Sequence, residues 1–141
     1  MRNGFTLIEV MMTVAIVAIL AAIAVPSYNN YLIRARISDG AAIMATKLVQ
    51  LEQFFQDNRT YVGAPACATD TATSRSFDFA CLEDPAPTQN TFELIATGKG
   101  QLNGLALSVN QNNVRSTVTV PTGWSLPNPN NCWAAEKGGK C

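Results

Sequence analysis

The feature that most limits how this chain can fold is an apolar run near its start. Between Phe5 and Val25 only one side chain ionises, Glu9; the others are Phe, Leu, Ile, Val, Met, Ala and Thr. As a helix the run is about 31 Å long at about 1.5 Å per residue, enough to cross a bilayer core of about 30 Å. Arg2 precedes it and Arg34 and Arg36 follow it. Basic residues on both sides leave its membrane orientation undecided by charge alone.

Two physical readings of residues 1–26 compete. A secretory signal peptide has a basic start, an apolar core and a small-x-small cleavage site, here Ala22-Ile23-Ala24. Against it, the run is longer than the roughly 7–15 residues of such a core, and it contains Glu9. A plain membrane anchor accommodates the acid at about 2.5–3.5 kcal/mol near the bilayer centre, and at less near the ends, where Glu9 lies.

The order Gly4-Phe5-Thr6-Leu7-Ile8-Glu9-Val10, then an unbroken apolar stretch and Pro26, resembles the leader and first helix of type IV prepilins. The resemblance implies that a membrane peptidase cuts after Gly4, that the new first residue, Phe5, is N-methylated, and that Glu9 pairs with the α-amino group of a neighbouring subunit. That role is physically coherent. Cleavage exposes an ammonium at a helix start in hydrocarbon, where charges are expensive. The helix dipole favours an acid near that end, and a staggered neighbour is better placed than the same chain to present one.

Past Pro26, which predicts a kink or local melting, helical periodicity resumes. Ile33, Ile37, Ala41, Met44, Leu48, Leu51 and Phe55 form one stripe, with Arg34, Arg36, Asp39, Lys47, Glu52 and Gln56 largely off it. The helix is predicted to end near Asp57-Asn58. Gly40 inside it marks either a bend or a close contact. The stripe is read as a core face.

After Tyr61 Thr, Ser, Asn, Pro and Gly become frequent, and short alternating runs predict strands. These are Ser76 to Cys81, Thr91 to Thr97, Leu105 to Val109 and Ser116 to Val120, the last two flanking a hairpin loop at Asn110 to Val114. The expected fold is α+β: a long N-terminal helix packed on a small antiparallel sheet of three or four strands. The expected organisation is a leader over 1–4, a transmembrane and polymerisation helix over 5–25, an amphipathic continuation over 26–58, and a disulfide-bonded, β-rich head over 59–141.

Cys67, Cys81, Cys132 and Cys141 lack the short Cys-x2–4-Cys spacing of structural zinc sites. Four cysteines allow three connectivities. Cys67–Cys81 with Cys132–Cys141 closes the two shortest local loops and is the expected pairing, a loop of about 15 residues being worth roughly 3 kcal/mol. A C-terminal region bracketed by Cys132 and Cys141 also resembles that of pilins. The string Gln53 to Tyr61 followed by Cys67, with Gly123-Trp124 and Cys132-Trp133 later, is similar to PilE-type minor pilins.

Composition narrows the function. The chain has no His, equal numbers of basic and acidic residues, and only 14% charged residues, against roughly 25% in soluble domains. Triad, Cys-His and HExxH chemistries are unavailable, so no enzyme is expected, and neither cofactor nor metal. Asp70, Asp78, Glu83 and Asp84 show no recognisable oxygen-ligand loop for calcium. Trp124 and Trp133 are read as packing on a disulfide rather than as a ligand patch. Gly138-Gly139-Lys140 lacks the context of a phosphate-binding loop. Losing Arg2 with a leader leaves one acid in excess, so direct nucleic-acid contact is not expected.

The expected partners are other pilin subunits, the prepilin peptidase and the inner-membrane assembly machinery. The expected location is the inner membrane and then a surface pilus, with the head periplasmic or extracellular. A secretion pseudopilin and a secreted DNA- or surface-binding module are the alternatives.

Overall fold

The computed structural model describes residues 4–141; residues 1–3, Arg2 among them, lie outside the described residues. Helix α1 (Leu7–Asn58) is followed by strands β1 (Phe77–Cys81), β2 (Glu93–Gly98), β3 (Ala106–Asn110) and β4 (Arg115–Thr119). The chain divides into two compact units, residues 1–32 and 33–141.

The first unit is helix over most of its described length. Thr6 caps it: the Glu9 amide donates to the Thr6 carbonyl at 3.1 Å and to its hydroxyl at 3.4 Å. Thr-x-x-Glu is the sequence pattern of a capping box. The expected melting at Pro26 does not occur; the helix continues through it. Proline removes one backbone donor, and the helix runs without a break on either side of it.

In the second unit the helix packs on one face of the sheet. The strands lie in the order β1-β2-β3-β4, all antiparallel, with a register shift between Ala106 and Leu107 opposite β4. Alternation sets which side chains go inward: Phe77, Phe79, Leu94, Ala96, Leu107 and Val109 are all fully buried. Each large side chain buried this way contributes about 1.5–3 kcal/mol. In the hairpin at Asn110 to Val114, Asn110 Oδ1 accepts from the amides of Asn112 and Val114, and Asn113 adopts φ 55°. Asparagine tolerates that conformation, which accounts for the Asn-rich loop.

The buried line of the helix is Ile37, Gly40, Met44, Lys47 and Leu51, with Ile33, Ile43, Leu48, Phe54 and Phe55 at its margins. Two members differ from the expected stripe. A Cβ on Gly40 would sit 2.5 Å from the Phe77 ring, so this glycine marks a close contact rather than a bend. Lys47, expected off the stripe, is buried because its ammonium meets Asp70 Oδ2 at 2.8 Å and lies 5.7 Å from the Phe79 ring centroid. Its stem covers apolar surface while its charge is matched.

Both sheet edges are occupied. At β1, Asp70 and Phe79 exchange backbone hydrogen bonds. At β4, the Asn130 amide group replaces a strand partner: Oδ1 accepts from the Thr117 amide at 2.9 Å and Nδ2 donates to the Thr117 carbonyl at 2.8 Å. The Thr117 hydroxyl donates to the Cys132 carbonyl and accepts from the Ala134 amide. Disulfides join Cys67 to Cys81 and Cys132 to Cys141.

Candidate functional site: the apolar helix and its first turn

The residues singled out near the start gather within the opening of α1. Gly4 and Phe5 precede the helix, Thr6 caps it, and Glu9 is the acid of its first turn. Among the described residues Glu9 forms no ion pair. Within the chain, its place in the first turn of the helix suits an acid. A Cβ on Gly4 would have open space around it, so packing does not demand glycine there.

Every described residue up to Tyr31 is exposed. Phe5 is 81% exposed, Ile8 68% and Ile19 64%, all above Val62, at 57% the most exposed large apolar residue of the second unit. The helix contains a window of mean hydropathy 2.6, none of it buried, and by length and composition it is able to cross a membrane. An apolar surface of this extent marks contact with lipid or with another chain.

The second unit holds the cysteines and most of the charge, and several of its carboxylates have side-chain partners. Asp70 accepts from Lys47, which together with Thr73 and the Ala72 amide holds its carboxyl well below the usual carboxylate range. Asp78 pairs with Lys99 at 2.7 Å, and Lys99 also donates to the Thr71 carbonyl. Tyr61 donates to Glu52 at 2.9 Å and stacks on Phe55; burial, then Glu52, pushes the phenol up to about 12. Trp124 and Trp133 pack against the core, and the Trp133 indole donates to the Ser108 carbonyl at 2.7 Å.

Sequence reasoning missed two features here. Thr6 as a cap was visible in the Thr-x-x-Glu spacing. The distribution of charge was hidden by the chain's overall neutrality. After residue 93 the bases Lys99, Arg115, Lys137 and Lys140 stand against one acid, Glu136, which pairs with Arg34 at 2.8 Å. The acids Asp78, Glu83 and Asp84 lie on or just after β1, at one edge of the sheet, and Arg115 on β4 at the other. The Arg115 guanidinium lies 4.7 Å from the centroid of the Trp133 ring.

An exposed apolar helix led by a capped, acid-bearing turn, with a disulfide-bonded α+β unit after it, is a pilin-like architecture. Two family models match. Residues 1–25 match the prokaryotic N-terminal methylation motif, and residues 26–105 match the family described as type IV minor pilin ComP, DNA uptake sequence receptor. The chain belongs to the type IV pilin family.

It is similar to a type IV major fimbrial protein FimA of Dichelobacter nodosus strain VCS1703A, 42% identical over 67 residues, which is 47% of this chain and 41% of the relative. Another FimA of D. nodosus is 42% identical over 57 residues, 40% of this chain and 36% of the relative. A fimbrial protein of the same species gives the same figures. The chain thus spans about two fifths of the length of these curated relatives. No solved structure matches it significantly.

Proposed function

We propose that this type IV pilin is cut after Gly4, N-methylated on Phe5 and built into a fibre through its apolar helix, with Glu9 compensating the ammonium of a neighbouring copy. The observation that carries this reading is the fully exposed apolar helix with one acid, in its first turn. Glycine at position 4 is unexplained by packing and is accounted for by a peptidase that needs it. Before assembly the helix sits in the inner membrane; afterwards it lies among like helices, and the head faces outward as a minor component of the pilus. The prepilin peptidase and the inner-membrane assembly machinery are the partners this route requires.

The test is incorporation of Glu9→Ala into sheared fibres of a pilus-bearing bacterium. Leaving a buried charge unpaired costs about 3–5 kcal/mol, so incorporation falls by more than about tenfold while the disulfide-bonded head accumulates normally. Incorporation at the parental level removes Glu9 from the account.

A second reading is favoured by the charge distribution and by the description of the family matched over residues 26–105: the head contacts DNA directly. This revises the expectation drawn from net charge. Arg115 over the Trp133 ring, with the exposed Lys137 and Lys140 further along the C-terminal tail, supplies phosphate-pairing cations and a stacking surface. Full chain in detergent, titrated with labelled duplex DNA, is expected to bind at low salt, to weaken as salt rises, and to lose affinity when the three cations become alanine. Absence of binding at low salt rejects direct contact.

A further inference from the structure

At the end of the apolar run the helix carries two aromatic side chains with polar tips. Tyr28 is 62% exposed and Tyr31 67% exposed. Spaced three apart they lie on one face, and with Ala24, Val25 and Ser27 they line one open depression. Asn29 and Asn30 beside them are also exposed. The basic residues that would ordinarily hold such a helix at a membrane surface are engaged elsewhere. Arg34 pairs with Glu136 at 2.8 Å, and Arg36 donates to Gln101 at 2.6 Å.

From Leu7 to Val25 the helix rises about 28 Å at about 1.5 Å per residue, close to a hydrocarbon core of about 30 Å. If the apolar run fills that core, Tyr28 and Tyr31 stand one to two turns beyond Val25, among the lipid headgroups. Tyrosine is enriched at that level because its ring prefers the acyl boundary and its hydroxyl prefers water. We propose that Tyr28 and Tyr31 are an interfacial anchor that fixes the depth of the helix by contact with phospholipid headgroups. The inference rests on the reading of α1 as membrane-inserted. It assigns to this pair a positioning role in the stored subunit that is separate from the Glu9 contact in the fibre.

The anchor is tested with the full chain at high dilution in phosphatidylcholine vesicles carrying lipids brominated at defined depths. An Ile16→Trp substitution supplies the reporter, and subtracting the signal of the chain without it removes Trp124 and Trp133. The reporter is expected to be quenched best by deep bromines, and to stay at that depth as acyl chains are lengthened. With Tyr28→Ala and Tyr31→Ala added, its quenching maximum should shift by about 3 Å, two residues of helical rise. Tyr28→Phe with Tyr31→Phe should shift it less, since the ring remains. An unchanged maximum in the alanine variant overturns the anchor and leaves the tyrosines as packing residues between copies. No quenching of the reporter at any depth rejects membrane insertion itself, and the anchor with it.

Discussion

One helix serves two opposite kinds of surface. Up to Tyr31 its apolar side chains are exposed on every side; from Ile37 to Leu51 the buried ones form a single line. In the second stretch the sheet supplies the apolar partner, and one face suffices. In the first, the partner has to come from outside the chain. Hydrophobicity alone does not distinguish these cases; its distribution around the helix does. Stability of the head and competence of the apolar helix should therefore separate under mutation.

The largest expected separation is between two single substitutions. Phe77→Ala removes a fully buried ring against Gly40 and should destabilise the head by about 3–5 kcal/mol in denaturant melts of detergent-solubilised chain. Ile16→Ala removes an exposed side chain and should leave the same melt unchanged within about 0.5 kcal/mol. Equal effects would mean that the two regions are not energetically distinct.

Replacing Cys67 and Cys81 by serine comes next. The residues are 14 apart in sequence, and opening a loop of about that length lowers stability by about 3 kcal/mol. The apolar helix should be untouched, so membrane insertion of this variant should match the parent.

Gly40→Ala sharpens the comparison further. On an exposed helix the change would stabilise by about 1 kcal/mol. Here the new methyl meets the Phe77 ring at 2.5 Å, so a net loss of about 1–2 kcal/mol is expected, within the usual range for overpacking. Combining it with Phe77→Leu should recover part of that loss.

The smallest effects are in pH dependence. The folded Asp70 carboxyl titrates below its unfolded value, so its contribution is complete above the usual carboxylate range, starts to fall within it, and is lost only as pH drops further, through the lowered folded value. Asp70→Asn should flatten the acid limb of the stability curve. Tyr61 runs the other way: its folded phenol is raised, so stability is full below about 10, the unfolded value, and is lost as pH rises towards about 12. Tyr61→Phe should remove that alkaline slope.

Much of this was legible in the sequence, for identifiable reasons. Alternation around Phe77, Phe79, Leu94 and Ala96 revealed the strands because one sheet face is buried and one is not. Glu9 stood out because nothing else in the run ionises. Lys47 was misplaced because a lysine is ordinarily solvated, and its partner, Asp70, is brought to it only by the fold. Asn130 closing the β4 edge left no local signature, since its partner Thr117 is on a strand it reaches only through the tail. The charge separation between the two sheet edges is a product of strand order, which composition does not contain.

The central claim is that the exposed helix is an assembly element released by cleavage after Gly4. Mass spectrometry of the N-terminal peptide, from chain expressed in a pilus-bearing bacterium, tests it most directly. The account predicts a chain that begins at N-methylated Phe5. A chain that begins at Val25 would make the apolar segment a discarded signal peptide and contradict the account.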